Sequence, residues 1–304
     1  MFGVCLLTRH RISIANKNQK SKIKNNVSRI ITAVIVLPFL IASILISWLQ
    51  LLFVVLAALA MVAGLFEFYV LAKRRDLKPD AAIGYLAAAA LFTVFYFNDP
   101  GPSSDLLMMQ LIPLILIVFT AATLIAATLR GAPFDKMIAS TGATILGVLY
   151  VVLLGSHLVA VRTGFNQALS ADLLCFFFLV LMGSDTGAYF VGRAFGKRKL
   201  APSISPVKTW EGVAGGLLAG LLMGTIAHFW FFRELPLKLA LPLAAVMTVV
   251  GILGDLTESA LKRSAGAKDT ANILPGHGGL LDRLDSLLFN APVIYYFGRI
   301  YFSG

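Results

Sequence analysis

Cysteine is nearly absent from this chain. Cys5 and Cys175 are the only two among 304 residues, which excludes a disulfide framework, and their separation matches no zinc-binding spacing. Charge is scarce as well: Asp, Glu, Lys and Arg make up 13% of the residues, roughly half of what a soluble domain carries. The shortage is greatest for acids, 15 against 26 bases, and the first thirty residues contain none. The only apolar run in that start, MFGVCLL, is too short for a signal-peptide core or a membrane span. Residues 1–29 are therefore expected to be a basic tail near anionic lipid headgroups, with an organellar transit segment and an over-extended start as the alternatives. There is no internal repeat, no low-complexity segment and no G-x4-G-K-[ST] spacing, so a solenoid and a P-loop NTPase are both excluded.

What is present is apolar sequence. Hydrophobic residues make up 58% of the chain and the mean hydropathy is +0.84, with repeated runs near twenty residues that are long enough to cross a bilayer. The expected fold class is all-α: a polytopic integral membrane protein with about nine transmembrane helices, forming one catalytic domain over residues 30–304. The spans fall near 30–48, 50–72, 81–98, 106–129, 138–161, 172–192, 212–232, 238–257 and 287–302.

With nine spans the loops alternate sides, and 22 of the 26 Lys and Arg then fall on one side, leaving Arg162, Arg233, Lys238 and Arg299 on the other. The positive-inside rule places the richer side, with the N-terminus, in the cytoplasm and the C-terminus outside. The surplus of bases is thus a property of membrane loops and points to no nucleic acid. Glu67 stands out inside the second span: an ionisable residue there is costly and is either functional or a packing hydrogen bond near the interface. His157 and His228, each in an apolar run, read as packing residues. Gly212, Gly216, Gly220 and Gly224 form a stripe at intervals of four, which permits close helix packing within one subunit or, as the sharper alternative, a homodimer contact.

Two stretches concentrate the remaining polar chemistry. From Ser259 to Asp285 the chain reads SALKRSAGAKDTANILPGHGGLLDRLD. On a helix Asp282 and Asp285 share a face, and two carboxylates on one face can hold a hard cation such as Mg2+. Asp255, at the end of the eighth span, can join them if the loop folds back. Lys262, Arg263, Lys268 and Arg283 offer positive charge to an anion, and the glycines of PGHGG let backbone approach a ligand. Acids for a metal beside bases for phosphates suggest a polyphosphate substrate; a solvated juxtamembrane loop would explain the bases but not the paired acids. The second stretch, from Ser184 to Gly216, carries Asp185 and then a loop in which Ser205, Lys208 and Thr209 supply donors and positive charge ahead of a new helix, a suitable place for phosphate.

The run S-A-L-K-R-x4-K-D-T-A-x2-L-P-G-H-G-G-L-L-D-R-L-D resembles the signature of the CDP-diacylglycerol synthase (phosphatidate cytidylyltransferase) family. DTGAYFVGRAFGKRKLAPSISPVKTWEG resembles that family's other characteristic block, in which Pro206 and Trp210 fit. Arg29, Thr32, Pro38 and Glu67 are similar to its amino-terminal region. The resemblance runs from about residue 29 to the end and departs mainly in the extended tail.

This resemblance implies the reaction CTP + phosphatidate → CDP-diacylglycerol + pyrophosphate, with Mg2+, in a bacterial inner membrane, and leaves a second, monovalent cation open. Asp255, Asp282 and Asp285 are expected to serve the metal, with Asp185 as a contributor. Lys262, Arg263, Lys268 and Arg283 are expected to be catalytic cations, and Ser205, Lys208, Thr209, Glu211, Asp269 and His277 to bind substrate. A CTP-dependent lipid kinase and a secondary transporter are the competing readings. The transporter would also carry intramembrane acids but gives no reason for phosphate-type loops.

Overall fold

The structure, a computed structural model, describes residues 37–98, 102–131, 134–267 and 279–302; the expected basic tail, residues 1–29, lies outside them. All nine apolar regions are helical within these limits. Helix α1 covers 37–45 and is joined by a single 3-10 turn to α2 (Gln50–Lys73). Then follow α3 (Ala81–Tyr96), α4 (Pro102–Leu129), α5 (Met137–Gly147), a π-helical turn (Val148–Leu153) and α6 (Leu154–Thr163). After these come α7 (Gln167–Phe195), α8 (Trp210–Trp230), α9 (Leu237–Ser264) and α10 (Leu281–Phe302).

The chain is an all-helical polytopic membrane protein because apolar runs of this length have one way to satisfy their backbone in lipid: every N–H must bond within its own segment. Helix α2 shows the result. It is apolar all round, burying Phe53, Leu65, Phe68 and Tyr69 on one side and exposing Leu51, Val55, Leu59, Val62 and Phe66 along the other, at helical spacing.

Among the described residues six helices are long and apolar enough to cross a membrane: Ser47–Lys73, Met109–Leu129, Met137–Thr163, Gln167–Phe195, Trp210–Trp230 and Leu237–Ser264. Helix α3, with 16 residues, is shorter, and α10 opens with Asp282, Arg283 and Asp285.

Sequence boundaries slipped at two polar ends. Helix α9 continues through Glu258, Lys262 and Arg263 to Ser264, and α10 starts at Leu281, before the expected span. Both extensions carry site residues, held in helix by the i,i+4 pair Glu258–Lys262 and by the contacts of the α10 N-terminus described below. An exclusively helical chain was expected, yet a small antiparallel hairpin, β1 (Lys199–Ala201) and β2 (Ser205–Thr209), projects between α7 and α8.

Two features fix the core. Helices α7 and α8 pack through glycine: a Cβ at Gly216 would meet the Ala188 Cβ and the Ser184 carbonyl at 3.2 Å. A Cβ at Gly224 would meet Ala244 of α9 at 2.9 Å, so side chains at these positions would force the helices apart. The glycine stripe is thus filled by the same chain. At the opposite end of the bundle from the hairpin, Arg162 is buried and donates to the Ser43 and Ile46 carbonyls and to Gln167. It closes the C-terminus of α1, where helix carbonyls lack partners. His157 is likewise a packing residue, with its Nδ1 2.8 Å from the Leu153 carbonyl and its ring against Phe95 and Tyr295.

The loops after α2, α4, α7 and α9 meet at one end of the bundle, the end rich in Lys and Arg. Arg75 Nε donates to the Ser264 carbonyl at 2.5 Å, Arg263 Nε to the Ile204 carbonyl at 3.3 Å, and Arg130 pairs with Asp80. Alternation of the loops, inferred from charge, is consistent with these contacts.

Candidate active site

The site lies at this basic end, where α7, α8, α9, α10 and the hairpin converge. Its cavity, about 580 Å³, is lined by Asp185 and Arg193 of α7, Lys208 and Thr209 of β2, Gly212 of α8 and Asp255 of α9, with apolar side chains between them.

The hairpin positions Lys208. Thr209 ends β2 and caps α8, its hydroxyl accepting from Gly212 N at 3.1 Å, as an N-cap threonine should. Glu211, the second residue of α8, accepts from Lys197 N at 3.1 Å and Arg198 N at 3.2 Å. Thr209 and Glu211, expected to contact substrate, thus shape the loop. Ser205, at the start of β2, is buried. From β2 Lys208 reaches α9, where its Nζ lies 2.6 Å from Asp255 Oδ2. Asp185, Asp255 and Asp285 come within each other's electrostatic field and that of Lys208. Of the four expected metal ligands Asp255 alone contacts Lys208; Asp185 of α7 and Asp285 of α10 lie within electrostatic reach of it.

The fourth, Asp282, sits in an adjoining cluster. Lys262 Nζ is shared between Glu258 Oε2 at 2.5 Å and Asp282 Oδ1 at 2.8 Å, and Asp282 Oδ2 accepts from Gly279 N at 3.1 Å. Glu258 is 1% exposed. A buried carboxylate is tolerable only with a partner, so Lys262 is integral to the local fold. Asp285 Oδ1 accepts from Ser286 N at 2.6 Å.

Glu67 resolves into a structural role at this site. Fully buried, it accepts from Leu280 N and Leu281 N, one on each carboxylate oxygen, both at 2.8 Å. It caps α10 from another helix, satisfying orphan N–H groups and placing a negative charge at the positive end of the macrodipole. The first turn of α10 bears Asp282, Arg283 and Asp285, of which Arg283 is exposed. Lys268, Asp269 and His277 lie outside the described residues.

Two participants have no role assigned from the sequence. Glu258 shares a helix face with Asp255 and with Lys262 in sequence, but its burial comes from packing. Tyr150, in an apolar run, carried no signal; its hydroxyl lies in the field of Glu258, Asp285, Asp255 and Asp282.

Among the described residues no group of three or more His, Cys, Asp or Glu is gathered as a ready metal-binding cluster. The carboxylates are held by lysines instead. Chemically the site offers hard oxygen donors and displaceable ammonium groups at a cavity whose walls are otherwise largely apolar.

Comparison with known proteins agrees with this assembly. Relatives named phosphatidate cytidylyltransferase include those of Bacillus subtilis, 39% identical over 182 residues (60% of this chain, 64% of the relative), and Haemophilus influenzae, 46% over 129 residues (41% and 45%). That of Pseudomonas aeruginosa is 36% identical over 216 residues (69% and 75%). The alignments thus span less than two thirds of the first two relatives' own lengths and three quarters of the third's. The profile of the cytidylyltransferase family matches residues 27–301, taking in the hairpin and every helix that supplies a carboxylate or lysine to the cavity, and on that ground the chain belongs to the cytidylyltransferase family.

Proposed function

We propose that this chain is a phosphatidate cytidylyltransferase that converts CTP and phosphatidate to CDP-diacylglycerol and pyrophosphate. The observation that carries this reading is the pair of lysines at the basic end of a membrane protein of this family, Lys208 held on Asp255 in the wall of a cavity and Lys262 held on Glu258 and Asp282 in the adjoining cluster.

A phosphomonoester has a second pKa near 6, so the phosphatidate headgroup is anionic at neutral pH and needs no dedicated base. Its oxygen forms a bond to the α-phosphorus of CTP as the bond from that phosphorus to the bridging oxygen of the β-phosphate breaks, and the electron pair leaves with pyrophosphate. Repulsion between two polyanions is the main obstacle, and fixed cations lower it. Lys208 and Arg193 line the cavity and Lys262 stands in the adjoining cluster; Arg263, Arg283 and Lys268 remain expected to join them. Ser205, Asp269 and His277 remain expected substrate contacts.

Magnesium fits the donor set: Asp185, Asp255, Asp282 and Asp285 are hard oxygen ligands. When bound, it would offset phosphate charge and favour departure of pyrophosphate. Lys208 and Lys262 hold these acids, neutralise them in its absence, and are free to turn to the phosphates when the acids are otherwise engaged. The basic end is then the cytoplasmic face of a bacterial inner membrane, where CTP is available.

The test is purified protein with phosphatidate, Mg2+ and CTP labelled at either the α- or the γ-phosphate. Label entering lipid from the α-position and released pyrophosphate are expected. Lipid labelled only from the γ-position would make the chain a kinase, and no labelled lipid from either would end the proposal.

A further inference from the structure

Tyr150 sits within the π-helical turn Val148–Leu153, an irregularity often found at functional positions. Its ring is fixed between Phe68 of α2 and Phe289 of α10, at centroid distances of 6.1 and 5.8 Å, and the residue is 5% exposed. Its hydroxyl has no hydrogen-bond partner among the described residues. A buried O–H without an acceptor is unfavourable, and phenylalanine would fill the same space without that cost. Phe289 packs against Gly254 of α9, and one turn further along the same face stands Glu258, the foremost of the carboxylates whose charge acts on this hydroxyl; it is buried and has Lys262 as its cation. Lys262 is itself divided between Glu258 and Asp282.

These three observations make sense together if Lys262 does not stay where it is. An ammonium group drawn to substrate phosphates would leave Glu258 as a buried, uncompensated charge. We propose that Tyr150 and Glu258 form a standby pair: when Lys262 moves toward substrate, the Tyr150 hydroxyl donates a hydrogen bond to Glu258 and holds that carboxylate in place. Tyr150 is then a positioning residue, idle in the ligand-free protein and engaged in the loaded one. This rests on the phosphate-binding role proposed for Lys262, but its central test does not.

Lys262→Met reproduces the withdrawn lysine without any ligand. In full-length protein in detergent, Tyr150→Phe in the wild-type background is expected to leave Tm unchanged or raise it, because the ring stays and an unmatched hydroxyl goes. In the Lys262→Met background the same change is expected to lower Tm, because the hydroxyl is now in use. The same sign in both backgrounds overturns the proposal.

Should Lys262→Met fail to fold, the substrate side decides. Tyr150→Phe is expected to weaken the Mg2+–CTP-induced rise in Tm, with an apparent affinity about tenfold lower, which corresponds to about 1.4 kcal/mol. In Glu258→Gln, which has no charge to hold, Tyr150→Phe should add little. An undiminished CTP response in Tyr150→Phe, or losses that multiply with Glu258→Gln, overturns the pair. A wild-type protein with no CTP response removes the nucleotide reading, and with it the movement of Lys262 that the pair requires.

Discussion

Glu67 and Leu281 are 214 positions apart and joined by a 2.8 Å hydrogen bond, with Leu280 N on the other carboxylate oxygen at the same distance. A side chain in the second helix therefore determines where the tenth begins, and through it where Asp282 and Asp285 stand.

Replacing Glu67 with alanine should accordingly damage both stability and activity. Two buried N–H groups lose their acceptor, at about 1–3 kcal/mol for such a loss, so a Tm several degrees lower is expected in detergent. Glu67→Gln keeps one oxygen acceptor and should fall between wild type and alanine. Equal Tm values for all three proteins would show that the cap is dispensable.

Lys262→Met should be among the most disruptive single changes in the chain, because it strands two carboxylates, one of them buried. Breaking such a pair costs about 3–5 kcal/mol. Adding Glu258→Gln removes the stranded charge and should restore part of the lost stability without restoring turnover. Thermal unfolding of both variants, with activity measured on the folded fraction, checks this.

The existence of the helices was readable from apolar run length, because lipid leaves the backbone no other option, whereas the polar ends of α9 and α10 extend past the apolar runs. The chemistry was readable where residue types cluster in sequence: Asp185, Lys208, Asp255, Lys262, Asp282 and Asp285 were all singled out. What was hidden depends on contacts between helices. Glu67 was seen as anomalous, but its partner lies in another span; Tyr150 is one aromatic in an apolar run. The hairpin was missed because KLAPSISPVKT lacks strand alternation and contains two prolines, a composition that reads as loop. That Thr209 caps α8 and Glu211 holds the Lys197–Arg198 turn follows only from the fold, because a capping threonine and a phosphate-binding threonine look alike in one dimension.

Asp255→Asn and Asp285→Asn should each lower turnover roughly a hundredfold or more, as expected when a metal ligand is lost at about 1.4 kcal/mol per decade. Residues serving one ion fail together, so the double variant should be far less impaired than the product of the singles. EDTA should abolish activity and Mg2+ restore it. The measurement is kcat against Mg2+ concentration; near-wild-type turnover in either single variant would detach it from the metal.

Orientation is open to labelling. In a background lacking Cys5 and Cys175, a cysteine at Ser203, in the turn between β1 and β2, should react with an impermeant thiol reagent only from the cytoplasmic face. Reaction from outside would invert the proposed sidedness.

The glycine contacts between α7 and α8 have a mechanical consequence. Two helices that meet with almost no side-chain layer between them cannot slide or tilt independently without clashes, because packed interiors deform little. The walls carrying Asp185 and Arg193 on one side and Gly212 on the other therefore move as a single block. Helix α9 is tied to the same block, since a Cβ at Gly220 or Gly224 of α8 would collide with Thr248 or Ala244, so any widening of this cavity must come from the hairpin that carries Lys208.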